Sequence, residues 1–231
     1  MGHKGNMYNF VETWNPLGGE CSHKCSYCYR KDMMRFPVNK EKYSGKPRLV
    51  SGKSGMDKNL GNGNFWFVGS MTDIFAEDVP REMILRILQK CDISSQNKYL
   101  FQSKNPERFI EFLPYFPDNT TLCCTLETSF QRHLKNFSGG SNYSNRYTAL
   151  KKIKHYGKFP IHITIEPIMK FGFCFITDLI KLNPQQINIG ADSSKEKLLP
   201  EPSKGKILEL IEKLEEFTIV HQKDNLKRLL K

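Results

Sequence analysis

The chain has 231 residues, room for one full domain and not two, and its 16 Phe and 9 Tyr supply core material although hydrophobic residues make up only 39%. Lys plus Arg number 35 against 24 acidic residues, a net charge of +11 that favours nucleic acid or an anionic small molecule as partner, unless it is only a solvated lysine-rich surface. Residues 1–20 lack a continuous apolar stretch, no run approaches the ~20 residues of a membrane span, and seven unevenly spaced cysteines argue for metal or catalytic use in a reducing cytoplasm instead of a disulfide framework.

Along the chain, β-branched and aromatic runs predict strands at 8–13, 65–69, 98–102, 121–127, 161–166, 186–190 and, more weakly, 217–221. Helices are predicted between them at 80–91, 106–113, 145–156, 175–182 and 204–216; in the first, Met83, Ile84, Ile87, Leu88 and Cys91 share one face. Alternation of this kind implies a parallel sheet with helices outside it. Near-continuous apolar strands fit a sheet covered on both faces. Six or seven units suit a partial (β/α)6 TIM-like barrel, whose site lies at the C-terminal ends of the strands. Residues 1–231 are read as one domain. Within it, 40–64 is a mobile basic Gly-rich insertion, 137–144 a loop, and 203–231 a C-terminal helical extension that either closes the barrel or contacts a partner.

The chemistry gathers after the first strand, in Gly18-Gly19-Glu20-Cys21-Ser22-His23-Lys24-Cys25-Ser26-Tyr27-Cys28-Tyr29. Three cysteines in one loop supply three soft thiolates, enough for three irons of a [4Fe–4S] cluster, with the fourth iron open to a substrate or cofactor. The alternative is zinc, with His23 as a fourth ligand.

This spacing, aromatic residue before the third cysteine included, resembles the signature of the radical S-adenosylmethionine (SAM) superfamily. The segments 67–75, 102–108 and 165–168 also resemble blocks of a phage- and bacteria-associated family of unknown function related to spore photoproduct lyase. The resemblance implies a partial barrel with the cluster loop after the first strand. It implies cluster ligands at Cys21, Cys25 and Cys28, with SAM on the open iron. Reductive cleavage of SAM then gives a radical that abstracts hydrogen from substrate.

Residue by residue, Tyr27 falls at the aromatic position near the adenine. Ser70 and Met71 fall where the superfamily has Gly-Gly-Glu against the cofactor amino group; this chain departs from that pattern, and Asp73 either compensates or faces substrate. Lys104 matches a lysine that pairs with the cofactor carboxylate, or is a surface lysine. Glu127 is suited to the ribose hydroxyls, Arg146 to the carboxylate, and Glu166 to substrate or adenine. Cys123 and Cys124 alternate across a strand, so one points inward; that thiol is either a hydrogen donor to a product radical or a small core residue.

Three functions compete. The first is a radical SAM enzyme modifying or repairing a nucleic-acid base, served by an electron donor such as flavodoxin or ferredoxin. The second is a radical SAM enzyme acting on a small molecule or peptide. The third is a non-enzymatic zinc-binding nucleic-acid module.

Overall fold

The computed structural model describes residues 12–194 and 196–231. The chain begins with β1 (Glu12–Trp14), β2 (Leu17–Gly18), α1 (Arg30–Met33), α2 (Pro37–Lys42) and β3 (Arg48–Leu49). It continues with β4 (Phe65–Val68), α3 (Arg81–Ile93), β5 (Lys98–Ser103), α4 (Glu107–Phe112), β6 (Thr120–Thr125), α5 (Gln131–Phe137) and α6 (Tyr143–Tyr156). Last come β7 (Ile161–Ile165), α7 (Phe173–Leu182), β8 (Gln186–Ile189), α8 (Lys204–Glu215) and β9 (Ile219–Gln222). Seven strands form one parallel sheet in the order β1-β4-β5-β6-β7-β8-β9, curved but not closed. This is the partial barrel expected from the alternation of apolar runs and amphipathic segments. Residues 8–11 of the first predicted strand lie outside the described residues.

The strands are apolar on their helix-facing side, where Trp66, Val68, Tyr99, Phe101, Cys124, Ile163, Ile165, Ile187 and Ile189 are all buried. Phe75 anchors an aromatic group there, with ring centroids 5.8 Å from Phe101, 4.6 Å from Phe109 and 5.8 Å from Phe112 in edge-to-face contacts. Phe101 has no exposed surface. Phe101→Ala is expected to cost about 3–5 kcal/mol, measured as a lowered urea midpoint with an unchanged slope.

Two helix boundaries have local causes. Asn142 starts α6 two residues earlier than the apolar pattern suggests, its side chain accepting the Asn145 N–H at 2.8 Å. α5 has no counterpart among the predicted helices, because Leu134 is its one buried residue and no apolar stripe marks it.

The 40–64 segment forms a packed lobe beside β1. β3 pairs antiparallel with β2, Tyr43 and Leu60 are buried, and the Trp14 indole donates to the Gly55 carbonyl at 2.8 Å. Gly19 makes the seam possible: its φ is +96° and a Cβ there would lie 2.4 Å from the Lys46 carbonyl oxygen. At the other end the C-terminal extension is more than helical. It adds β9 as the seventh strand, then a 3-10 turn over Asp224–Leu229. No helix among the described residues is long and apolar enough to cross a membrane.

Candidate active site

The C-terminal ends of the strands surround a cavity of about 860 Å³. Cys21, Cys25, Tyr27 and Cys28 line one end of it, Ser70, Met71, Asp73 and Lys104 the side, and Glu166 the far wall. The parallel topology brings them together, since each follows its own strand and every strand points the same way.

The cysteine loop is held by bonds that involve no metal. Ser26 N–H donates to the Phe137 carbonyl at 2.9 Å and Gly139 N–H to the His23 carbonyl at 2.6 Å. Cys25 Sγ lies 3.2 Å from Ser138 Oγ. The 138–142 turn, read from sequence only as a loop, is therefore the bed on which the cysteine loop rests. Burial pushes the Cys21 thiol up to about 12 and raises Cys28 as well. As free thiols both are protonated at neutral pH. A cationic metal centre would displace their protons to solvent and neutralise the thiolates, so the donor set fits an iron–sulfur cluster.

His23 is turned to a carboxylate: its Nε2 sits 2.7 Å from Asp73 Oδ2. Asp73 also accepts from Ser103 Oγ and the Lys104 N–H, both at 2.9 Å, and from the Phe75 N–H at 2.9 Å. Burial opposes the Asp73 charge, yet the His23 bond and these donors hold its carboxyl below the usual range. Asp73 thus ties the cysteine loop to the ends of β4 and β5, and its oxygens are already engaged. His23, the fourth ligand of the zinc alternative, is thereby already engaged by Asp73.

Glu127 and Arg146 lie behind the cavity wall, both without exposed surface. Arg146 donates to Glu127 Oε2 at 2.7 Å, to the Thr125 carbonyl at 2.8 Å and to the Ser141 carbonyl at 2.6 Å. The other Glu127 oxygen accepts from both the Lys104 ammonium and the Tyr27 hydroxyl. Burial opposes the carboxylate, but Lys104 and Arg146 outweigh it and hold Glu127 far below the ordinary carboxylate range. Burial likewise works against the Lys104 ammonium, and Glu127 holds it above its ordinary value. The three groups expected from the resemblance to contact cofactor separately are here bonded to one another, with Tyr27 of the cysteine loop as fourth member.

Ser70 and Met71 are positioned by Asn15, whose side-chain oxygen accepts from Met71 N–H at 3.0 Å and Ser70 Oγ at 3.2 Å. The Ser70 carbonyl already receives the Tyr29 hydroxyl at 2.5 Å. Glu166 is bonded to Lys223 at 2.6 Å and to the Asn225 amide at 2.9 Å. Gly190 leaves room for this carboxylate, since a Cβ there would sit 2.7 Å from it. Neither Cys123 nor Cys124 lines the cavity. Cys123 lies on the concave side with Leu100, its Sγ 3.3 Å from Thr164 Oγ1. Cys124 is packed in the helix-side core, where burial raises its thiol further.

Sequence reasoning missed the cavity floor and, beside Glu166, one member of the far wall. Gln102, Thr125 and Thr164 line the floor. Gln102 donates to Thr125 Oγ1 at 3.0 Å, and its Oε1 is buried without a protein partner, leaving an acceptor for a ligand's donor. Lys223 joins the wall from just after β9. The available signal was position alone, a polar residue at or beyond a strand's C-terminal end.

The family model described as protein of unknown function (DUF5131) matches residues 7–170. No curated protein sequence matches the chain. Among solved structures, a spore photoproduct lyase double mutant with bound AdoMet and dinucleoside spore photoproduct superposes with a TM-score of 0.62 at 12% identity, covering 90% of this chain and 75% of that one. A single mutant of spore photoproduct lyase gives 0.63 at 12% identity, with 95% and 78% covered. Streptococcus suis SuiB bound to S-adenosylmethionine gives 0.57 at 13% identity, with 93% of this chain and 47% of that one covered. At these identities the likeness is one of fold. It falls on spore photoproduct lyase, to which the family resembled by segments 67–75, 102–108 and 165–168 is related, and on SuiB.

Proposed function

We propose that this chain, which belongs to the family described as protein of unknown function (DUF5131), is a radical SAM enzyme whose substrate is a nucleic-acid base. The observation that carries the reading is that Cys21, Cys25 and Cys28 line one cavity together with polar side chains from the later strand ends, among them Asp73, Lys104 and Glu166. Cys21, Cys25 and Cys28 would hold a [4Fe–4S] cluster, which would supply the reducing power for cleavage of SAM.

The chain's own residues supply position and seclusion. Tyr27 and Lys104, fixed by Glu127, present a ring and an ammonium beside the cysteines. Lys104 is the cavity-lining cation nearest Tyr27 of the cysteine loop and is suited to a cofactor carboxylate. The neutral floor of Gln102, Thr125 and Thr164 can hydrogen-bond a heterocycle without imposing a charge. A volume of about 860 Å³ accommodates a cofactor with part of a substrate. The net charge of +11 supports a polyanionic substrate, and the likeness to spore photoproduct lyase, seen with dinucleoside spore photoproduct bound in that protein, supports a nucleic-acid base.

The test is anaerobic reconstitution with iron and sulfide, followed by reduction in the presence of SAM. A broad visible absorbance and release of 5′-deoxyadenosine are expected. Stoichiometric zinc in the purified protein, with neither signal after reconstitution, would defeat the proposal.

A further inference from the structure

We infer that the lobe following the cysteine loop is a binding track for single-stranded nucleic acid, delivering a base to the cavity. The inference rests on the substrate class proposed above and names the surface that recognises it. Between residues 24 and 58 the chain carries ten basic and three acidic residues, seven of its eleven net positive charges. The concentration is not evident from overall composition, because the lysines are spaced singly along the sequence. Folding gathers them. α1, α2 and β3 are drawn into one body by Arg30 donating to the Gly19 and Tyr43 carbonyls, by Arg48 donating to the Ser44 and Glu41 carbonyls, and by Lys42 donating to the Ser54 carbonyl. Of the ten cations only Lys58 has a carboxylate partner among the described residues, Glu12 at 3.9 Å. Lys24, Lys31, Arg35, Lys40, Lys46 and Arg48 are exposed.

Aromatic side chains are interleaved with these charges. Tyr29 lines the cavity and is 51% exposed, yet its hydroxyl is pinned to the Ser70 carbonyl, so the ring is held at the mouth. Phe36 is 46% exposed, with the Arg35 guanidinium 4.9 Å from its ring centroid. Cations that follow a phosphate backbone and rings that stack on unpaired bases are the two components of single-strand recognition. Lys24, in the cysteine loop, and Tyr29 and Lys31, at α1 between that loop and the lobe, line the cavity, so the track runs directly into the site. An acidic redox protein would answer to the charge but gives no role to exposed rings held at a substrate cavity's mouth. Single-stranded nucleic acid accounts for both.

The test uses cluster-reconstituted full-length protein and a fluorescein-labelled oligothymidylate, read by anisotropy across a salt series. The triple variant Arg35→Glu/Lys40→Glu/Lys46→Glu is expected to weaken binding tenfold or more and to reduce the slope of log affinity against log salt by about 2. Phe36→Ala should weaken binding about tenfold with little change in that slope. A control with the same charge change on exposed α6 positions, Lys151→Glu/Lys152→Glu/Lys154→Glu, should bind nearly as the parent does. Equal losses in the lobe and α6 variants would reduce binding to net charge and overturn the inference. So would tighter binding to the duplex than to the single strand. A lobe variant that keeps the oligonucleotide but loses reduction by flavodoxin would assign the surface to the electron donor instead. Release of 5′-deoxyadenosine without added oligonucleotide, measured on the same variants, reports separately on the radical SAM reading. Its retention alongside lost oligonucleotide binding is the expected pattern.

Discussion

Cys25→Ala removes the visible absorbance and the bound iron after reconstitution, and 5′-deoxyadenosine formation falls to background. Cys25 is the middle thiol of the three and the most buried, 6% exposed, with its sulfur against Ser138. Loss of one thiolate leaves two local ligands, too few to hold a cubane that already relies on an open iron. The fold survives the change. The loop is fixed by backbone bonds from Ser26 and Gly139 and by the Tyr27 hydroxyl, none of which involves the thiol. Far-ultraviolet circular dichroism should therefore match that of the parent. Cys123→Ala is the informative companion, since Cys123 lies outside the cavity and should leave iron content unchanged. Full iron content in the Cys25→Ala protein would remove the basis of the proposed chemistry.

Glu127→Ala is the second large effect, and it is one of stability. Arg146 has no exposed surface and Glu127 is its one carboxylate partner among the described residues. Removing the acid strands the guanidinium in the core and takes a partner from Lys104. Breaking a buried pair on one side costs about 3–5 kcal/mol. The double variant Glu127→Leu/Arg146→Met should lose less than Glu127→Ala, because no unpaired charge remains inside.

The pH dependence follows from the same group. The Glu127 carboxyl is held below its ordinary value near 4.5 in the folded chain. Its contribution is therefore present in full above that value and declines as pH falls toward the folded-state value. Asp73, also held low, adds a loss over the acid range just below its ordinary value near 3.8. Urea midpoints should fall below pH 4.5 in the parent, and less steeply in Glu127→Leu/Arg146→Met. A Glu127→Ala protein as stable as the parent would show that this network braces nothing.

The strands were legible because they are apolar and β-branched runs bounded by polar residues, with every second side chain buried under the helices. Predicted and observed strands from Phe65 onward differ by only a few residues at their ends. α5 was not legible, since its Gln-Arg-His-Leu-Lys-Asn-Phe sequence buries one side chain. The lobe was read as an insertion because glycine and lysine dominate it; what anchors it, Trp14 against Gly55 and the buried Tyr43 and Leu60, depends on distant residues.

The site divides in the same way. Three cysteines in one loop declare themselves by spacing. Glu127, Lys104 and Arg146 could be nominated from strand-end positions, but their mutual pairing depends on where α6 crosses β6. Gln102 and Lys223 carried no local signal, one a polar residue within a strand and the other a lysine among many.

The edge strand β1 has one further consequence, for the order in which the molecule comes together. Glu12 pairs with Trp66, a partner made 54 residues later, whereas the next pairing in the sheet, Phe65 with Lys98, spans 33. Among the described residues three register pairs, from Glu12 to Trp14, attach this edge to the sheet. A long closure rewarded by a short ladder is late to form and early to open. Late seating of the cysteine-bearing quarter on strands already assembled would let the proposed cluster be installed in a protein that has already folded.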